Sequence, residues 1–195
     1  MKEALCKYLR EKKLDLTEDQ MIFWFSLLTE RKIKRGEFLL REGEVEKRGS
    51  FVVKGCLRLY SIDEKGRDHI IQFAPENWWI RDMESYAIGT PSNYFIDAVE
   101  DSEILLMDKT AEEKLMKKIP SLALFFQNLL FRRQIASQKR INATMSATAD
   151  ERYLDFIKTY PSLAMRLPQH MIASYLGITP ESLSRVRKSI SKKKN

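Results

Sequence analysis

The chain has 195 residues, 44% of them apolar, and a formal net charge of +7, which bounds it to one or two domains with a real core. No run of about 18 apolar residues occurs, so no membrane span is expected, and "MKEALCKYLREKKLDLTEDQ" lacks the apolar centre of a secretory signal. Cys6 and Cys56 are the only cysteines, which excludes a four-thiolate iron–sulfur site and a disulfide scaffold and points to a reducing, cytoplasmic compartment.

Residues 3–30 read as helical. "EALCKYLREKK" is amphipathic, and Thr17 with Gln20 forms a capping box ahead of "MIFWFSLL". Phe23, Trp24 and Phe25 are expected to pack on the next module. From Arg31 to Asp108 short apolar runs alternate with Gly36, Gly43, Gly55 and Gly66 at punctuation points. "LRLYSI", "DEKG" and "HIIQF" spell a hairpin. This texture predicts a small antiparallel barrel or jelly roll. No GxGxxG or P-loop is present.

"KTAEEKLMKKIP" predicts a short helix ending at Pro120. Residues 121–148 hold no Gly or Pro and predict one helix of about 40 Å. One stripe contains Leu124, Phe131, Gln138, Ile141 and Met145, with Gln127, Gln134 and Thr148 between or beyond them. It suits a two-helix seam in a homodimer; the alternative is a helix packed between domains. A second stripe, Leu122, Phe125, Phe126, Leu129 and Leu130, is expected on the barrel. "ADERYLDFIKTY" predicts a further helix, with Asp150 at its positive end and Pro161 as its stop, then a link, "SLAMR".

Charge changes along the chain. Residues 121–195 contain 13 Lys/Arg and 4 Asp/Glu, a net of +9; residues 1–120 keep 34 − 13 = 21 basic and 27 − 4 = 23 acidic residues, a net of −2. A near-neutral module joined to one that meets a polyanion would show this asymmetry, as would a basic surface without a partner. The segment "LPQHMIASYLGITPESLSRVRK" favours the polyanion. Gln169 to Leu176 predicts a helix with small Ala173 at a crossing point. Gly177 suits the left-handed turn, Thr179 the N-cap, and Pro180 the first helical position. Leu183 and Val186 face inward. This is the helix-turn-helix pattern, and its second helix would enter the major groove of double-stranded DNA. Glu181 and Arg185 share a face and could read bases, or pair with each other. Gln169, Thr179, Pro180, Ser182, Ser184, Arg187 and Lys188 complete the candidate DNA-binding set, and "RVRKSISKKKN" carries six cations and no acid.

The order of parts resembles the Crp/Fnr family of bacterial regulators, from about Arg31 to Lys188. "GEFLLREGEVEKRGSFVVKGCLRLY" is similar to the entry strands of the cyclic-nucleotide-binding fold. "PQHMIASYLGITPESLSRVRK" resembles the family's DNA-binding segment, especially in Bacteroidetes-type regulators. The resemblance implies an α+β chain. A sensory barrel with flanking helices spans 1–120, a long dimerisation helix 121–148, and a helix-turn-helix domain 149–195. It implies a cytoplasmic homodimer, a near-palindromic DNA site, contact with RNA polymerase, and a small-molecule effector.

Three departures qualify it. Cyclic-AMP binders carry a Gly-Glu pair and an Arg-Ser pair. Here "WWIRDMES" replaces the first, and Ser92-Asn93 stands where the second is expected. Without that arginine a cyclic phosphate loses its bidentate partner, so cyclic AMP is not the expected effector. Arg81, from another strand, is the candidate substitute, in a pocket read as Arg58, Trp79, Arg81, Asp82, Glu84, Ser92 and Asn93. No cysteine cluster is present, and His69 and His170 are the only histidines, so neither a cofactor nor a metal is assigned. Pro180 replaces a DNA-contacting Arg of many members, and 7 residues after Lys188 leave no room for a β-wing. The alternative is a constitutive DNA-binding dimer with a vestigial barrel. An enzyme using the barrel is disfavoured, because His69 is the barrel's only histidine.

Overall fold

The computed structural model describes residues 1–194, with side chains through Lys192. Two compact units divide the chain: Met1–Ser61 with Ile71–Phe126, and Ile62–Ile70 with Gln127–Asn195.

The first unit opens with α1 (Lys2–Glu11) and α2 (Glu18–Ser26). Thr17 starts α2 through the expected capping box: its hydroxyl accepts from Gln20 N at 3.3 Å, and the Gln20 side chain accepts from Thr17 N at 3.0 Å. The helix stops at Ser26, sooner than expected, because strand pairing begins at Thr29. Eight strands follow: β1 (Thr29–Ile33), β2 (Phe38–Leu40), β3 (Arg48–Lys54), β4 (Leu57–Ile62), β5 (Asp68–Ala74), β6 (Trp79–Ile80), β7 (Phe95–Ala98) and β8 (Ser102–Asp108). They form two four-stranded sheets, ordered β1-β8-β3-β6 and β2-β7-β4-β5. Helix α3 (Met83–Ile88) lies between β6 and β7, and α4 (Lys109–Lys118) follows β8.

Alternation explains the core. Ile33, Val52, Ile80, Ile104 and Leu106 from one sheet meet Leu40, Leu57, Leu59, Ala74, Ile96 and Ala98 from the other. Successive strand residues face opposite ways, so Phe51, Trp79 and Leu105 turn outward. That outer face is buried by an aromatic layer. Phe51 packs on Tyr8 of α1 (5.4 Å between centroids) and on Trp79 (5.3 Å); Trp79 meets Phe126 (5.6 Å), which meets Trp24 of α2 (6.1 Å). The barrel thus has an aliphatic inside and an aromatic outside under its helices. Trp24 is fully buried, while Phe23 and Phe25 are half-buried.

β3 and β4 are consecutive but belong to different sheets, so the chain must turn a corner at Gly55. Gly55 has φ +97°, and a Cβ there would lie 2.8 Å from the Ser102 Cα. Its N–H donates to Glu76 Oε1 at 3.0 Å, and Cys56 N to Ser102 Oγ at 3.2 Å.

The long helix is α5 (Ser121–Ser146), 26 residues and about 39 Å. It ends two residues before the expected Thr148, whose hydroxyl accepts from Glu151 N at 3.3 Å. Thr148 therefore caps the next helix in a capping box and does not extend the seam of α5. In the second unit α6 (Ala149–Thr159), α7 (Pro161–Arg166), α8 (Gln169–Leu176) and α9 (Pro180–Lys194) follow. Pro161 closes α6, but "SLAMR" is not a link: Pro161 is the first residue of α7, where a missing N–H costs nothing. Ile70, Tyr153, Phe156, Leu163, Leu167, Ile172, Ala173, Leu176, Leu183 and Val186 are buried apolar residues of this unit.

Gly55→Ala combines a positive φ with a backbone clash. It should lower the unfolding free energy by at least about 2 kcal/mol, read from urea denaturation; a loss below about 0.5 kcal/mol would contradict the corner's role.

Candidate functional site

The corner between α8 and α9 is built from local chemistry. Ala173 is fully buried where the two helices pack. Gly177 ends α8 at φ +66°, a conformation that disfavours any residue with a Cβ. Its N–H donates to Ser174 O at 3.1 Å, and Ile178 N donates to Ala173 O at 3.0 Å. Thr179 Oγ1 then accepts from Ser182 N at 3.2 Å and caps α9, whose first residue is Pro180. Leu183 and Val186 are buried against this brace.

The opposite side of α9 is polar. Glu181, Ser184, Arg185 and Lys188 are exposed; Ser182 and Arg187 are half-buried. Arg185 Nη2 donates to Ser182 Oγ at 3.2 Å. The Glu181 carboxyl sits below the usual carboxylate range. Its own backbone N–H is the first cause, the Thr179 hydroxyl the second, and the Arg185 charge a smaller one. The Glu181 and Arg185 side chains are thus presented to solvent by the first two turns of a capped helix. Gln169, on α8, is separate from that turn. With Ser184, Arg187 and Lys188 it lines an open groove of about 640 Å³ that Ser191 and Lys192 complete. The last two residues were outside the sequence-based set, because a cationic C-terminal run gives no sign of which side chains share a concavity. Also in this unit, Ser174 Oγ donates to Asp68 O (2.5 Å), and Arg140 Nη1 donates to Ile70 O (3.2 Å).

The barrel residues fall into three places. Arg58 points away from the interior defined by Leu57 and Leu59. Its Nε and Nη2 donate to Asp97 at 2.7 and 2.9 Å, and Tyr60 OH joins the same carboxylate at 3.0 Å. Trp79 lies in the outer aromatic layer, opposite inward Ile80. Strand alternation thus sets Arg58 and Trp79 on the outer faces of different sheets. Glu84 and Asn93 are exposed.

Arg81, Asp82 and Ser92 do come together, but as a self-satisfied network. Arg81 Nη1 donates to Glu112 Oε2 at 2.5 Å, and its guanidinium lies over the Tyr86 ring at 4.1 Å. Tyr86 OH donates to the same Glu112 oxygen; burial first, then that carboxylate, push the phenol above its usual range. Asp82 is 4% exposed and Ser92 2%. Asp82 accepts from Glu84 N at 3.1 Å, capping α3, and from Ser92 Oγ at 2.7 Å. Glu46, which the sequence did not flag, is buried beside them. Its N–H donates to Ser85 Oγ at 2.8 Å, and its carboxylate accepts from Arg48 N at 3.2 Å. Burial, with a smaller contribution from the Asp82 charge, pushes Glu46 up to about 7 against the bonds from Arg48 and Asp82 N–H and the charge of Arg81. Among the described residues no three His, Cys, Asp or Glu side chains gather to hold a metal ion.

These two units define a class: an antiparallel double-sheet barrel joined through a long helix to a helix-turn-helix. Residues 30–119 match the family described as the cyclic nucleotide-binding domain. The chain is 24% identical over 171 residues to the transcriptional activator protein Anr of Pseudomonas aeruginosa, covering 80% of this chain and 68% of that protein. Its fold is similar to FixK2 from Bradyrhizobium japonicum (TM-score 0.75, 20% identity, 85% of each chain). It is also similar to the c-di-GMP responsive global regulator CLP of Xanthomonas campestris (TM-score 0.73, 10% identity, 91% of this chain and 93% of that one). Residues 30–119 thus carry a cyclic nucleotide-binding domain, and over most of its length the chain is similar to transcription regulators of the Crp/Fnr type. No helix among the described residues is long and apolar enough to cross a membrane.

Glu46 gives a pH test. A folded value of about 7 lies above the ordinary glutamate value of 4.5, so the native state holds a proton that the unfolded chain releases between these values. Stability must then fall as pH rises from about 5 to 8, by on the order of 2–4 kcal/mol from this group. Glu46→Gln should flatten that fall in urea titrations at pH 5 and pH 8. An identical pH slope in the variant would remove Glu46 as its cause.

Proposed function

We propose that this regulator is a cytoplasmic homodimer that binds a near-palindromic site in double-stranded DNA, with α9 in the major groove. One observation carries the reading: a capped, braced helix presents Glu181 and Arg185 outward at its first turns, followed by a cationic face. Arg can bond guanine O6 and N7 together, and Glu can accept from cytosine N4. Thr179 and Ser182 flank the reading pair, and the missing N–H of Pro180 leaves the start of the helix unobstructed.

Homodimerisation is supported by α5. Phe131 is 58%, Ile135 51% and Met145 83% exposed, with Leu124 and Ile141 also exposed and Gln138 between them. A row of large apolar side chains left to water on one long helix marks an interaction surface, and a second α5 would cover it with like residues. A dimer would set two α9 helices toward successive major grooves, about 34 Å apart. RNA polymerase is a further partner for such a regulator on its promoter.

The barrel is read as a sensor for a small molecule other than a cyclic phosphate. Arg81 is engaged by Glu112, and the Asp82 carboxylate takes the Ser92 hydroxyl and the α3 N–H that an anion would need. An incoming phosphate would meet carboxylates there. The same observation favours a second reading, in which the barrel binds nothing and the dimer is constitutive. A thermal-shift screen of metabolites separates them: at 100 times its dissociation constant a ligand adds about 2.7 kcal/mol. A hit that also changes DNA affinity favours the sensor.

Arg185→Ala should cost about 1–3 kcal/mol at the protein's own site and little on random duplex. Equal losses on both would remove its base-reading role. Phe131→Asp with Ile135→Asp should convert a dimer to a folded monomer in sedimentation analysis; an unchanged dimer would place the interface elsewhere.

A further inference from the structure

The segment that links β2 to β3 is tied to the α3 region by polar bonds. Gly43 N donates to Ser92 O at 2.8 Å, and Ser92 N donates to Glu44 O at 2.8 Å. Glu46 N donates to Ser85 Oγ at 2.8 Å, and that hydroxyl donates to Thr90 O at 2.6 Å. The Glu46 carboxyl accepts from Arg48 N at 3.2 Å and from the Asp82 N–H. Residues 43–46 and 82–92 are thus the two arms of a clasp. Val45, the only apolar side chain of the first arm, is exposed. That arm is therefore held by hydrogen bonds and not by apolar burial.

The centre of the clasp is a pair of acids without a cation. Glu46 is 8% exposed and Asp82 4%. The charged groups that face Glu46 are Asp82, which opposes its ionisation, and Arg81, which favours it. Arg81 is already bound by Glu112 of α4. From β3 Glu46 receives only the Arg48 N–H; the Arg48 side chain is exposed, and its charge acts on Asp108. Glu84 of α3 is exposed. Two carboxylates buried side by side repel when both ionise. A proton on Glu46 removes that repulsion and adds an O–H donor to a site of acceptors. Burial, the main influence on Glu46, acts in the same direction and holds the proton to higher pH than in an ordinary glutamate.

We propose that Glu46 is a proton-operated catch on this clasp, closed while it holds a proton and loosened once it ionises. Asp82 caps α3 and holds the Ser92 hydroxyl at 2.7 Å. Charge on Glu46 pushes on that cap, and the repulsion is relieved by parting the two arms so that water reaches both carboxylates. Asp82 and Ser92, both candidate effector residues, are then released from each other. Proton concentration thereby governs which partners they can take. This use of the catch rests on the sensor reading. The catch itself does not, because both of its arms lie in the barrel unit.

Amide exchange on the full-length protein tests the catch, and it needs neither ligand nor DNA, so a failed sensor or DNA-binding reading leaves the test intact. Gly43, Glu46 and Ser92 N–H are the donors that join the arms. Their protection, corrected for intrinsic exchange, should fall roughly tenfold or more between about pH 5.5 and pH 8.5. Glu46→Gln keeps a carbonyl for both N–H donors and cannot ionise, so its protection should change less than about twofold. Asp82→Asn still caps α3 but removes the facing charge, and its fall should be smaller than that of the wild type. At the higher pH, exchange of the three amides should not depend on low concentrations of urea, because a local opening exposes little surface.

No fall in the wild type, or an equal fall in Glu46→Gln, would overturn the catch. So would a urea dependence as steep as that of the β3–β8 ladder amides, which would reduce Glu46 to a contributor to global stability.

Discussion

The turn from Gly177 to Pro180 is the constraint on which the second unit depends. Gly177 accepts a backbone conformation closed to most residues, Thr179 replaces a lost N–H partner, and Pro180 starts a helix without needing one. Together they end one helix and begin another within three residues. Only then can Ala173, Leu183 and Val186 share a core while Glu181 and Arg185 face water. Without the corner the same residues would form one longer amphipathic helix, with no braced face to offer a partner.

The barrel answers to a different constraint, the burial of charge. Arg58 with Asp97 and Arg81 with Glu112 are each paired at hydrogen-bond distance, as buried charges must be. Asp82 and Glu46 have no such cation of their own. Asp82 is satisfied by N–H and hydroxyl donors, whereas Glu46 is left near neutral by its surroundings. In a fold matched by the cyclic nucleotide-binding family, this region is anionic and internally bonded. The disagreement between family and chain thus has an electrostatic form, and it directs the effector reading away from phosphates.

How much was legible in the sequence depended on distance along the chain. The Thr17–Gln20 box and the Gly177-x-Thr179-Pro180 corner were readable because every participating residue lies within a turn of its partner. Thr148 and Pro161 carry equally local signals that periodicity hides: Thr148 lies past the end of α5 and caps α6, and Pro161 both stops α6 and opens α7. Ile135 is missed because alternating steps of three and four from Leu124, through Gln127 and Phe131, arrive at Gln134. Glu46 and Glu112 could not be found, since their partners lie 39 and 31 residues away and no spacing rule links them. Arg58 and Trp79 looked like pocket residues until strand alternation turned them outward. The seven candidate barrel residues are therefore only partly one site, while the nine in and between α8 and α9 divide between the first turns of α9 and a groove.

The proposed function requires sequence-specific recognition by two copies of α9. Selection of bound sequences from a random duplex pool by the purified full-length protein tests this most directly. The expected result is a two-fold symmetric motif whose half-sites lie about one helical turn, roughly 10 base pairs, apart. Retention of duplexes with no enriched motif would mean that only charge attracts DNA. That outcome would contradict the reading assigned to Glu181 and Arg185.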